Sequence, residues 1–299
     1  MLASISYLQA IVMGLLQGFT ELFPISSLGH SVLLPALLGW HDVVNSQSSA
    51  QSFFLAFIVG LHVGTALGLL VYYRRTWRLL LGGLVRQVAA VRGRGAASLW
   101  RVSDPTMDAD YRLLFILAVA TIPVGLAGVA LESTLRQLFA KPLAAAIFLT
   151  VNGMILLVGE GLRRSAGKHV AHTRIATISP RGALAIGLSQ VLALFAGISR
   201  SGVSMVTGLM INLDHEESAN FAFLLATPVI LLAGLYKLPE LFGPLGNGVR
   251  LQTLVGALCA MGAAMVSVRF LTRWFTTKTL IPFGAYSLVL GVACVVRFG

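Results

Sequence analysis

The residues able to do chemistry in this chain are few. Glu21, His30, His62 and Arg200 lie within or beside long apolar runs, and Glu160 sits near the end of another. A charge at membrane depth is costly, so such a group is read as functional by default. Glu21, His30 and Arg200 fall in or next to two short polar breaks, FPISSLGHS and AGISRSGVS. Their clustering is the main signal in the sequence.

The first break sits in QGFTELFPISSLGH. Gln17 and Glu21 are four apart and share a helix face. Pro24 disfavours helix in the residue before it and should end that helix. Ser26 and Ser27 then fall in the turn. His30 comes three residues after Ser27, within reach of its hydroxyl if a new helix starts near Leu28. A hydroxyl beside an imidazole, with a carboxylate nearby, is the logic of an activated nucleophile.

The second break offers a different chemistry. Gly197 and Gly202 give backbone freedom, and Ser199, Ser201 and Ser204 supply hydroxyl donors. A helix starting after the break would point free N–H groups at the turn and favour an anion. Arg200 adds a permanently charged fork suited to two phosphate oxygens. The economical ligand for such a cradle is a phosphate or diphosphate.

Each residue also has a plainer reading. Glu21 could hydrogen-bond a neighbouring helix, or pair with Arg200 in the unliganded protein. Ser26 reads as a turn or helix-cap residue rather than a nucleophile. His62, in LHVGT, reads as a packing or supporting group, and Glu160, beside Arg163 and Arg164, as structural. Asp214, Glu216 and Glu217 look like the capped, solvated start of a helix.

The elements that position these residues follow from composition. Of 299 residues, 57% are hydrophobic and 11% charged, with a mean hydropathy of +0.85. Soluble domains carry roughly 25% charged residues, so this chain cannot cover itself with water-facing groups. Cys259 and Cys294 lie in apolar runs and form neither a disulfide framework nor a metal site. The N-terminus has no basic segment before its apolar stretch, so no cleaved signal peptide is expected. The net charge of +11 would suggest nucleic acid in a soluble protein; here it resides in loops, and no nucleic-acid partner is expected.

Six stretches are long enough to span a bilayer, which takes ~20 residues: about 53–73, 112–131, 142–162, 218–236, 251–271 and 280–297. Two more, about 5–38 and 183–213, carry the polar breaks, and each half is too short to cross alone. They read as re-entrant helical hairpins, whose irregular backbone is tolerated where it is buried in protein or lines a cavity. The expected fold is an all-α polytopic membrane protein, with six transmembrane helices and two re-entrant hairpins in one domain spanning 1–299.

Orientation follows from Lys and Arg. Arg74, Arg75, Arg78, Arg86, Arg92, Arg94 and Arg101 follow the first span. Arg163, Arg164, Lys168, Arg174 and Arg181 lie near 163–181, and Arg269, Arg273 and Lys278 fall between the last two spans. The opposite loops hold Arg136, Lys141, Lys237 and Arg250. The richer side, including basic loops near 74–111 and 163–181, should be cytoplasmic, with both termini and the 40–52 loop outside. Residues 74–101 read equally as an amphipathic helix on the inner leaflet or a solvated basic loop.

A hairpin and three spans occur twice, so the halves, roughly 1–162 and 180–299, enter from opposite faces as an inverted repeat. Gly14-Leu15-x-Gln17 matches Gly187-Leu188-x-Gln190 at an offset of 173 residues. At the same offset, Ile25, Ser26, Gly29 and Ser31 match Ile198, Ser199, Gly202 and Ser204. ATIPVGLAG (120–128) also echoes ATPVILLAG (226–234), at another offset.

At its hairpins the sequence resembles the undecaprenyl-diphosphatase (bacitracin-resistance protein) family. The family's Glu/Gln-x-x-x-Glu and Pro-x-Ser-Ser-x-Gly-His segments are matched by Gln17, Glu21, Pro24, Ser26, Ser27, Gly29 and His30. Its Pro-Gly-x-Ser-Arg-Ser-Gly-x-Thr motif is matched by Gly197, Ser199, Arg200, Ser201 and Gly202. The likeness runs on through VYYRR, NFAFLLATP and FGAYSLVLG. It implies removal of the terminal phosphate from undecaprenyl diphosphate, recycling a cell-wall lipid carrier and giving bacitracin resistance. It also implies a bacterial inner-membrane location, a site facing the outer side, and a divalent cation, Mg²⁺ or Ca²⁺.

On that resemblance Ser27 would be the nucleophile, His30 its proton partner, and Glu21 a metal ligand or the group orienting His30. Arg200, Ser199, Ser201, Ser204 and Ser26 would bind phosphate, and Gln17 would join Glu21 at the metal. Several positions depart from the pattern. Gln17 stands where Glu is frequent, Ala196 for Pro, Ser204 for Thr, His62 for Gln and Ser287 for Arg. The implied partners are a polyprenyl diphosphate and membrane lipids, with a homodimer compatible. The competing class is a lipid-phosphate translocase on the same scaffold, since inverted repeats with broken helices are also a transporter pattern. A translocase needs the anion cradle but not the Ser27–His30 pair.

Overall fold

The computed structural model describes residues 5–40, 43–44, 53–102, 104, 106–131, 141–165 and 174–299. Lys168, Arg136 and most of the 40–52 loop lie outside the described residues. The described residues form eleven α-helices joined by turns and short 3₁₀ segments, with no strand.

The first hairpin is α1 (Tyr7–Thr20) and α2 (Ser27–Leu37). Ser6 and Gln9 cap α1 reciprocally, satisfying two N–H groups that a helix start leaves unpaired. The helix stops at Thr20, short of Pro24, as the proline requires. The second hairpin begins at α7 (Pro180–Ser189), capped by Ser179 and continued by a 3₁₀ segment to Leu194. After a break it resumes as α8 (Arg200–Met210), capped by Ser199.

Between and after the hairpins lie α3 (Phe53–Tyr72), α4 (Arg74–Arg94), α5 (Ala109–Ala130), α6 (Pro142–Ser165), α9 (His215–Phe242), α10 (Arg250–Trp274) and α11 (Ile281–Phe298). Five are long and apolar enough to cross a membrane: α5, α6, α9, α10 and α11. A sixth is counted if α3 is taken with α4, into which it bends by 80°. These match the six stretches read from the sequence, with ends shifted by a few residues. The basic stretch after the first span is helical through Arg94 and then passes into a short 3₁₀ turn, so it is not a loop over most of its length. It is held to the start of α5 by Arg86, whose Nε and Nη2 donate to Asp108 and Asp110, each at 2.7 Å.

Small residues let the helices pack closely, the usual solution where lipid offers no hydrophobic drive between them. A Cβ on Gly14 would come within 2.2 Å of the Gly256 carbonyl oxygen on α10. A Cβ on Gly187 would come within 2.6 Å of the Ala120 oxygen on α5. These two glycines are the pair matched by the 173-residue offset. The helix pairing follows the same exchange. α1 packs on α10 and α7 on α5, while α3 meets α9 and α6 meets α11 across the middle.

Candidate active site

The two breaks meet in the interior. Ser26, in the first, has φ of 70°, a conformation that costs a non-glycine residue of order 1–3 kcal/mol. Four hydrogen bonds hold it. Its Oγ accepts from Gly29 N at 3.2 Å and from Gly197 N, in the other break, at 3.1 Å. Its carbonyl accepts from the His30 backbone at 3.2 Å and from His30 Nδ1 at 2.7 Å. Gly197, with φ of 114°, lies so close that a Cβ on Gly29 would sit 2.9 Å from its Cα. Ser26 is thus the helix cap of the plainer reading, and it also ties the two hairpins together.

Ser199 repeats the device. Its Oγ accepts from Gly202 N at 3.1 Å, the same cap-to-third-residue bond that Ser26 makes with Gly29. Its backbone N–H donates to Asn152 Oδ1 at 2.9 Å, while Asn152 Nδ2 donates to the Pro24 carbonyl at 3.0 Å and to Ser287 Oγ at 3.2 Å. One fully buried side chain of α6 therefore fixes the first turn and the second cap together.

Glu21 is the hub. Arg200 Nη2 donates to its Oε1 at 2.9 Å, and Gln17 Nε2 donates to its Oε2 at 2.9 Å. The Ser27 hydroxyl also donates to Oε2, and His62 Nε2 stands 3.4 Å from it. Glu21 and Arg200 are both largely buried, with side-chain exposures of 6% and 11%. The structural alternative for these two residues is therefore realised, in the same place as the proposed chemistry. Arg200 Nη1 is buried without a partner, as are Gln17 Oε1 and Ser204 Oγ.

The Ser27–His30 hydrogen bond expected from spacing does not form. The helix begins at Ser27, so the Ser27 hydroxyl turns to Glu21. His30 Nδ1–H is committed to the Ser26 carbonyl, which leaves Nε2 to accept from the Tyr286 hydroxyl at 2.9 Å. A carbonyl can only accept, and that fixes the tautomer. The imidazole that reaches Glu21 is instead His62, with Nδ1 held by the Ile58 carbonyl at 2.8 Å.

A cavity of about 250 Å³ opens here. Glu21, Ser26, Ser27, His62, Ser199 and Arg200 form its polar end, and its remaining walls are mostly apolar. Ser201 and Ser204 are buried beneath it in α8; Ser201 Oγ lies 3.0 Å from Ser199 Oγ. His30 does not line it. The sequence reading gave no role to Asn152 and Tyr286. Asn152 could have been found as an amide in the middle of an apolar span, the same signal that marked His62.

Glu160 stands apart at the other end of α6. It accepts from His215 at 2.8 Å, from Arg164 at 3.3 Å and from Leu280 N at 3.3 Å. It joins three elements and has no place in the cavity. Asp214 caps α9 through Glu217 N at 2.7 Å.

Among the described residues no three His, Cys, Asp or Glu side chains gather as a metal site. Glu21 and the unpartnered Gln17 Oε1 are the oxygen donors that fit a hard cation. Two protein ligands suit one that keeps several waters and binds substrate phosphates.

Fold and site together define a polytopic, all-helical membrane protein with a charge-balanced polar site where two broken hairpins meet. The chain belongs to the bacitracin resistance protein BacA family, which it matches over residues 10–293. It is 47% identical to undecaprenyl-diphosphatase 2 of Frankia alni, covering 98% of each chain. It is 46% identical to undecaprenyl-diphosphatase of Mycolicibacterium paratuberculosis, covering 99% of this chain and 98% of the relative. With undecaprenyl-diphosphatase 2 of Chromobacterium violaceum the identity is 41%, over 95% and 96%.

Proposed function

We propose that this chain is an undecaprenyl-diphosphate phosphatase, hydrolysing undecaprenyl diphosphate to undecaprenyl phosphate and inorganic phosphate and so conferring bacitracin resistance. The observation that carries the reading is the Ser27 hydroxyl donating to the Glu21 carboxylate, whose other oxygen is held by Arg200. A translocase needs an anion cradle but no hydroxyl poised on a carboxylate.

In the mechanism we propose, the terminal phosphoryl group enters the cavity beside Arg200. Arg200 Nη1 is a buried donor without a partner. With Gly202 N–H taken by the Ser199 cap, the Arg200 and Ser201 N–H groups at the start of α8 are left to favour an anion. Ser27 Oγ attacks phosphorus and its proton passes to Glu21, while the P–O bond to the lipid monophosphate breaks. Water then cleaves the phosphoserine, and Glu21 returns the proton. Phosphoryl transfer is mainly positioning and charge neutralisation, and the Arg200–Glu21 contact holds both in register. A divalent cation held by Glu21 and Gln17 would neutralise phosphoryl charge alongside Arg200. His30, bound at both nitrogens, holds the turn; serving as Ser27's proton partner would require its ring to leave Ser26 and Tyr286.

The same reading takes the two halves as an inverted repeat, and places the site in the bacterial inner membrane, open to the outer face. The basic side read as cytoplasmic supports that orientation. A homodimer would leave the site intact, since all its residues come from one chain.

The test is phosphate release from undecaprenyl diphosphate by purified protein, with Ser27→Ala beside it. Release lost in that variant is expected. Release unchanged in Ser27→Ala would remove the nucleophile, and none from folded wild-type protein with Mg²⁺ or Ca²⁺ would favour a translocase.

A further inference from the structure

The polar cavity adjoins a second one. A second hollow of about 300 Å³ shares Val124, Leu194, Val229 and Ala233 with the first. The two adjoin across these residues as a trough, the first part polar at Arg200 and the second mostly apolar where it runs between α5 and α9, with Thr121, Tyr236 and Lys237 its polar members. Its far walls include exposed Val129, Leu232 and Tyr236, with Lys237 beside them, so it opens at the surface of the helix bundle.

Two glycines shape this trough. A mid-helix glycine costs about 1 kcal/mol relative to alanine, so its presence needs a reason. For Gly14, Gly64 and Gly153 the reason is a neighbouring backbone that a Cβ would strike. Gly125 and Gly128, one turn apart on α5, have no such neighbour; neither do Gly161 and Gly262, but of these four only Gly125 and Gly128 line the second hollow. A Cβ on Gly125 meets nothing within 4 Å, and one on Gly128 meets only Leu194 Cδ2 at 3.9 Å. Their missing side chains leave the trough open.

Building on the proposed phosphatase reading, we infer that the trough between α5 and α9 carries the isoprenoid chain of the substrate, with Gly125 and Gly128 setting its clearance. The occupant follows from position: a ligand with its diphosphate at Arg200 must route its tail out of the cavity, and this adjoining, mostly apolar hollow reaches the exposed faces of α5 and α9. Moving a tail from lipid into an apolar groove gains little hydrophobic free energy, since lipid is equally apolar. The trough therefore orients the substrate, and its effect belongs in discrimination between tails.

The experiment compares Gly125→Leu and Gly128→Leu with Gly161→Leu, whose Cβ also meets open space but lies outside both hollows. Leucine is a better helix former than glycine, so the fold is retained. One misfitted methylene in an apolar pocket is worth roughly 10–200-fold. The two trough variants should lose roughly tenfold or more in kcat/KM on undecaprenyl diphosphate, with much less loss on isopentenyl diphosphate, and Gly161→Leu should lose nothing. Equal losses on both substrates, or none on either, would overturn the assignment. A polyprenyl diphosphate carrying a photoreactive group on an early isoprene unit gives a second reading, independent of turnover. It should label α5 and α9, and labelling confined to other helices would refute the trough. Absence of phosphate release by the wild type would instead sink the phosphatase reading, leaving the labelling result to stand by itself.

Discussion

Replacing Arg200 by alanine separates what the Glu21–Arg200 pair does for the fold from what it does for the reaction. The contact is 2.9 Å between two nearly buried side chains. Removing one partner of a buried pair costs about 3–5 kcal/mol, because the other charge is left uncompensated. Here the lower end, about 3 kcal/mol, is expected, since Gln17 and Ser27 still donate to the carboxylate. Neutralising the carboxylate as well, in Glu21→Gln/Arg200→Ala, removes the stranded charge. The double variant should be more stable than Arg200→Ala alone, with a coupling of roughly 1–3 kcal/mol. Turnover should not follow: losing a preorganised donor to phosphoryl charge costs about 100–1,000-fold, and removing the carboxylate restores nothing. The assay is thermal unfolding of the four proteins of the cycle in detergent, with phosphate release measured on each. Additive stability effects, within about 0.5 kcal/mol, would refute the buried pair. Full activity in Arg200→Ala would refute its role at phosphate.

His30→Asn keeps an amide able to donate to the Ser26 carbonyl, so turnover should persist, reduced less than the roughly 100–10,000-fold that loss of a general acid–base residue brings; abolished phosphate release would restore His30 as the proton partner. Gln17→Glu adds an anionic oxygen next to Glu21, and the cation concentration giving half-maximal turnover should fall; an unchanged titration would argue against Gln17 as a ligand. Asn152→Ala strands Ser199 N and the Pro24 carbonyl, at roughly 1–3 kcal/mol for each buried group left unpaired, and both the melting temperature and kcat should drop; a melting temperature equal to wild type would show that the two breaks do not depend on this link.

The helices were legible because lipid imposes long apolar runs, and the hairpins because Pro24 and the glycines interrupt two runs too short to cross in halves. Residues 74–101 were ambiguous for a related reason: an amphipathic basic helix and a basic loop share a composition, and the chain proves α-helical only through Arg94. At the site, the membership of Glu21, Ser27 and Arg200 and the Glu21–Arg200 pair were readable, while the partners of Ser27 and His30 were not. Which way the Ser27 hydroxyl points depends on where α2 starts. That start depends on the positive φ of Ser26, fixed by Gly197 from the other half. Asn152 meets Pro24 across 128 residues of chain, a separation no local pattern encodes. The ATIPVGLAG and ATPVILLAG segments do not follow the 173-residue offset, yet Val124 and Val229 line the same trough.

Ser27 and Arg200 each occupy the first helical position after a serine cap, at corresponding places in the two hairpins. On the proposed mechanism the two copies of this motif differ in role, one presenting the group that attacks and the other the charge that receives. On that mechanism neither half of the chain is an enzyme by itself. Segments 1–165 and 174–299, made as separate polypeptides, would each be inert, and phosphate release on mixing them in one membrane would report directly that they had found one another.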